Sequence, residues 1–177
     1  MDQARLQHVL APERMGDPAA LSMEELRARR AELQEVEVTL SYQRRMAQGR
    51  LDIVAAERHR RDQGDAAPAP EAVVAHLTGI LAPNTRGQGN GRLSQLLAPE
   101  PTEAETPELD AIAGANVLAS LPTLSDEDLD RLIEDLAEFE AGCSRSRRAL
   151  HDRIDSLQGE VVRRYRTGEA SVETLLR

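Results

Sequence analysis

The chain has 177 residues and a formal net charge of −9, with one Phe, two Tyr and no Trp. So few aromatics exclude a large aromatic-filled core, and Leu, Ala and Val among 30% charged residues suit an elongated helical hairpin better than a compact α/β enzyme. The acidic balance argues against drawing DNA or an anionic membrane through bulk field, so any anionic ligand has to be held by locally placed arginines.

Residues 1–20 contain Pro12, Gly16 and Pro18 and read as a short, loose lead-in. Residues 21–63 form the first long helix. Ser22 can cap its first turn, and Glu25, three residues on, completes a capping box. Leu26, Leu33, Leu40, Ala47 and Val54 recur at every seventh position, Val36 and Leu51 broaden the stripe, and Gln43 and Arg50 interrupt it.

Residues 64–122 hold seven Pro and six Gly and read as a linker, with short helices expected at Glu71–Leu81 and Leu93–Leu97. Its Gly87–Gly91 stretch has neither the lysine nor the preceding strand of a phosphate loop. Residues 123–167 form the second long helix, opened by Ser125 and Asp128 and seamed by Leu129, Leu136, Cys143, Leu150 and Leu157. Leu132, Phe139, Ile154 and Val161 flank that seam, and a tail, 168–177, follows.

Adding 103 to a position in the first helix gives its partner in the second: Leu26 to Leu129, Leu33 to Leu136, Arg60-Arg61 to Arg163-Arg164. Both copies begin acidic and end rich in arginine, as the helix dipole favours. Antiparallel pairing sets the acidic start of the second helix, Asp126 to Glu140, against the basic end of the first, Arg44 to Arg61. Parallel pairing would set like against like. The expected fold is therefore all-α: an antiparallel two-helix coiled coil with a Pro/Gly-rich connection carrying one or two short helices.

A polar motif repeats on both helices. The first copy has Glu37, Ser41, Arg44, Gln48 and Asp52; the second has Glu140, Ser144, Arg147, His151 and Asp155 at the same spacings. Each set falls within roughly an 80° arc and spans roughly 22 Å of helix. In an antiparallel coil both rows flank the seam on one side, so they could share a ligand. Carboxylates accept from the guanine N1–H and N2–H₂ edge, while arginine forks onto guanine O6 and N7, stacks, or pairs with phosphate.

The pattern Glu-x3-Ser-x2-Arg-x3-Gln-x3-Asp resembles the cyclic di-GMP signature of the RsiG family of actinobacterial anti-sigma factors. The resemblance implies ligand contacts at Glu37, Ser41, Arg44, Gln48, Asp52, Glu140, Ser144, Arg147 and Asp155. His151 stands where the signature has Gln and can replace it in part, since neutral imidazole both donates and accepts. It further implies that cyclic di-GMP, as an intercalated pair, loads a monomer carrying two motif copies. That monomer then sequesters a WhiG-type sporulation sigma factor from RNA polymerase.

An alternative reading is a coiled-coil scaffold or adaptor whose ladder is only a solvated face of Glu–Arg pairs. A nucleic-acid binder is opposed by the acidic balance and by the lack of stacking aromatics. No nucleophile–base–orienter set points to an enzyme, and His8, His59, His76 and His151 lack metal-ligand spacing. With Cys143 alone, no disulfide framework or cysteine metal site is expected. The lack of an apolar signal core or a membrane-length apolar run points to the cytoplasm, with no membrane contact.

Overall fold

The computed structural model describes residues 3–64 and 106–170. Every regular element among them is helical: α1 (Gln3–Leu10), α2 (Pro12–Met15), α3 (Met23–Asp62), α4 (Pro107–Ala113), α5 (Ala115–Ser120) and α6 (Asp126–Thr167), with 3-10 turns at Pro18–Ala20 and Leu121–Thr123. The short helices expected at Glu71–Leu81 and Leu93–Leu97 lie outside the described residues, as does the tail beyond residue 170.

Helix starts follow from local chemistry. The Glu25 backbone N–H donates to Ser22 Oγ at 3.1 Å, and the Ser22 N–H donates back to the Glu25 carboxylate at 2.7 Å. That backbone N–H, with the Ser22 hydroxyl, lowers the Glu25 pKa. At the second start the Asp128 N–H donates to Ser125 Oγ at 3.1 Å. The carboxylate of Asp128, one carbon shorter than that of glutamate, is met at 2.6 Å by the Ser125 hydroxyl.

The described residues form two compact units. Unit one joins 3–41 to 144–170, and unit two joins 42–64 to 106–143. Within each, α3 and α6 run antiparallel. In unit one Arg27 donates to the Tyr165 hydroxyl at 2.6 Å, Arg30 to Gln158, and Arg147 to Glu37. In unit two Arg44 meets Glu140, Arg58 meets Asp130 at 2.8 Å, and Arg61 meets Asp126 at 2.9 Å. The basic end of α3 therefore faces the acidic start of α6, as the charge pattern requires. All ten heptad-seam residues are buried, and Leu26, Leu129, Leu136, Leu150 and Val54 are among the largest fully enclosed side chains. Thr39 and Gln43 are buried polar members of α3.

The lead-in is not loose. Residues 3–20 make α1, α2 and a 3-10 turn, and residues 107–123 repeat that order as α4, α5 and a 3-10 turn. Added 103 at a time, Gln3–Leu10 falls on α4 and Pro18–Ala20 falls on Leu121–Thr123. The duplication thus covers the short helices as well as the long ones. In unit two these pieces close a core of Ala47, Val54, Leu109, Ala113, Leu121, Leu129 and Leu136. Gly114 separates α4 from α5; a Cβ there would lie 2.7 Å from the Asp110 carbonyl oxygen, so the backbone approach admits only glycine.

Arginines tie the short helices down. Arg50 donates to the carbonyls of Leu109 and Ala113, both at 3.0 Å, and to the Asp110 carboxylate at 2.5 Å. Its repeat partner Arg153 donates to the carbonyls of Val9 and Leu10 at 2.5 Å and of Ala11 at 3.4 Å. Arg61 and Arg164 do likewise for the 3-10 turns, reaching Leu121 and Leu124, and Pro18 and Ala19. Such bonds give carbonyls at the ends of the short helices a charged donor, those of Leu121 and Pro18 in addition to the backbone N–H groups of Leu124 and Leu21.

Candidate functional site

The polar rows meet within each unit. In unit one Glu37 Oε1 accepts from Ser41 Oγ at 2.7 Å, one helical turn away, and from Arg147 Nε at 2.8 Å across the coil. His151 Nε2 lies 3.3 Å from the same oxygen. Burial pushes the Glu37 carboxyl upward, but the Ser41 hydroxyl, Arg147 and His151 outweigh it, and the pKa is lowered. Glu37 therefore holds its negative charge although it is half-buried.

Unit two contains the converse arrangement. Arg44 Nη1 donates to Glu140 Oε1 at 3.2 Å, and Gln48 Nε2 donates to that oxygen at 3.4 Å. Glu37 and Glu140 are repeat equivalents, as are Arg44 and Arg147. Each copy's glutamate is therefore paired with the other copy's arginine, and the residue one turn beyond that arginine, His151 or Gln48, approaches the same carboxylate. The sequence motif accounts for both clusters.

The clusters differ in how the arginine is used. Arg147 engages its carboxylate through Nε, whereas Arg44 uses Nη1 and its Nε is buried with no acceptor. A buried donor left unmatched costs about 1–3 kcal/mol, and the Nε of Arg30, outside the motif, is unmatched in the same way. Ser144 and Asp52 are half-buried on their rows, and Asp155 is exposed. The motif side chains brought into described contact are thus Glu37, Ser41, Arg147 and His151 in one unit and Arg44, Gln48 and Glu140 in the other.

Chemically, each cluster offers a carboxylate acceptor, a guanidinium fork and a neutral polar side chain within a few ångströms. That set suits a ligand carrying both N–H donors and an anionic or carbonyl acceptor, as a guanine nucleotide does. Cys143, the residue before Ser144, is buried in the seam, and burial pushes its thiol up to about 11, which disfavours the reactive thiolate. Among the described residues no group of His, Cys, Asp and Glu could hold a metal ion, and no helix is long and apolar enough to cross a membrane.

Reasoning from the sequence missed the anchoring arginines Arg50 and Arg153. Both interrupt the apolar stripe at the same register, and that shared interruption was the available signal. A family model described as RsiG-like matches residues 12–81 and 116–177. No curated protein matches the chain significantly.

Proposed function

The chain belongs to the RsiG-like family, and from that premise we propose that it is an anti-sigma factor loaded by cyclic di-GMP. Membership suggests an anti-sigma role, regulatory rather than catalytic, with a sigma factor as partner. The finer reading is that the loaded chain sequesters a WhiG-type sporulation sigma factor in the cytoplasm and releases it when the nucleotide falls. Cyclic di-GMP here is a regulatory ligand, taken up as an intercalated pair.

The observation that carries this reading is the reciprocal pairing of Glu37 with Arg147 and Glu140 with Arg44. It gives each unit one guanine- and phosphate-compatible set, Glu37 with Arg147 in unit one and Glu140 with Arg44 in unit two. Glu37 and Glu140 would take the guanine edge, Arg44 and Arg147 would take guanine acceptors or phosphate, and Ser41, Ser144, Gln48 and His151 would add short-range bonds. Asp52 and Asp155 would close the ends of the rows. The ligand strengthens the grip on the sigma factor only by binding the complex better than the separate partners.

One observation favours a ligand-free scaffold instead: the two Glu–Arg pairs already neutralise each other. The Arg44→Asp variant separates the readings. It should abolish cyclic di-GMP binding and sigma capture while leaving the helical circular-dichroism signal nearly intact, because Arg44 lies beside the seam and not in it. Loss of helix together with binding would identify Arg44 as a structural residue and remove the support for a ligand site.

A further inference from the structure

The geometry points to a second ligand site in unit one, a cleft beside α1 and α2 that takes a glutamate-like carboxylate. It rests on contacts separate from the polar rows. The cleft has a volume of about 30 Å³ and is lined by Arg14, Arg29, Arg153 and Glu32, with Leu33 and Leu157 among its apolar walls. That is room for a carboxylate head or a few waters, and the leucines suit the methylenes behind such a head.

Charge bookkeeping within the cleft leaves Arg153 without an acid, while Arg29 has only the nearby charge of Glu25, one turn before it. Arg14 is matched by Glu32, its Nη2 donating at 2.9 Å, and its Nη1 lies 2.7 Å from His8 Nε2. Arg29 donates to the carbonyl of Arg14 at 3.1 Å, and Arg153 to the carbonyls of Val9, Leu10 and Ala11. Among the described residues neither Arg29 nor Arg153 hydrogen-bonds to a carboxylate, although each guanidinium carries five N–H donors. The carbonyls that Arg153 touches carry only partial negative charge, and a planar carboxylate matches the guanidinium fork.

The repeat supplies the control. In unit two the equivalent of Arg153 is Arg50, which has its own carboxylate in Asp110 at 2.5 Å. The residue matching Asp110 in the first copy is Gln7, while Arg14 and Arg29 correspond to Val117 and Leu132. The anchor of unit two thus has an acid of its own, where Arg153 in unit one has Gln7 in that place. An external carboxylate would fill the place that Asp110 fills in the sister copy.

The carboxylate could come from a free small acid or from a glutamate side chain of a bound polypeptide. The full chain is titrated with propionate and with N-acetylglutamate N-methylamide, following the side-chain Nε–H signals of Arg29, Arg153 and Arg50 by nuclear magnetic resonance. Saturable shifts at Arg29 and Arg153, with Arg50 still, are expected for the carboxylates and not for the matching glutamine derivative. Half-saturation by the blocked glutamate below that of propionate assigns the group to a polypeptide; the opposite order assigns it to a free acid. Gln7→Asp, which installs the sister copy's acid, should weaken carboxylate binding about tenfold and raise the melting temperature. Arg29→Gln should weaken binding without removing the α1 anchor. Absence of saturable shifts, equal shifts at Arg50, or equal response to the glutamine derivative would overturn the site.

Discussion

Among the described residues, unit one sets twelve arginines against eleven carboxylates, whereas unit two sets seven against thirteen. The two units are nevertheless built from matching pieces: a pair of short helices, a 3-10 turn, the start of one long helix and the end of the other. What has stayed the same is the buried seam, the reciprocal Glu–Arg pairing and the arginine that anchors each short helix. What has diverged is the outer charge and the counterion of that anchor, Asp110 in one unit and Gln7 in the other. Duplicated chemistry is retained where side chains meet across the coil and is lost where they face outward.

The largest expected effect tests what the units share. Leu136→Asp and its repeat counterpart Leu33→Asp each bury an unpaired charge in the seam and should cost more than about 4 kcal/mol, unfolding the coil. Circular dichroism and sigma capture should be lost together in both; survival of either variant would show that its unit does not depend on the seam. Next, Gly114→Ala places a Cβ against the Asp110 carbonyl and should cost about 1–3 kcal/mol. The counterpart Ala11→Gly should cost less than about 1 kcal/mol. Urea denaturation measures both, and equal values would mean that the two junctions are interchangeable after all.

Smaller still is Asp110→Asn, which gives unit two the uncompensated anchor of unit one. The carboxylate is about half exposed, so a loss of less than about 1 kcal/mol is expected. The smallest effect concerns pH. The Glu37 pKa is lowered in the folded chain, so its contribution is present above the ordinary carboxylate range and lost as pH falls through the lowered value. Thermal melts taken across the acid range should therefore show a steeper decline for the wild type than for Glu37→Gln. Parallel declines would place the acid sensitivity elsewhere.

Much of this was legible in the sequence because the determinants are periodic or local. The seven-residue spacing of Leu26 to Val54 and of Leu129 to Leu157 marks the buried seam, and the paired Ser22 and Glu25 mark the first helix start. The opposed charge gradients fix antiparallel pairing, from which the Glu37–Arg147 and Arg44–Glu140 contacts follow. The short helices were not legible. Helices of four to eight residues show too little periodicity to stand out, and between Gln3–Ser22 and Thr106–Ser125 only Leu6, Leu21 and Ser22 recur unchanged. Arg50 and Arg153 looked like flaws in a stripe because the carbonyls they satisfy belong to segments far away in the chain. Nor could spacing alone tell that Arg44 would leave its Nε buried without an acceptor while Arg147 would not.

The central claim, that the motif residues bind cyclic di-GMP, is tested most directly by calorimetric titration of cyclic di-GMP into the full chain, alone and with a WhiG-type sigma factor. Saturable heat at micromolar concentrations, tighter with the sigma factor present and abolished by Arg44→Asp, is the predicted result. Heats no larger than dilution in both titrations would contradict it and leave the paired rows as the solvated flank of a scaffold.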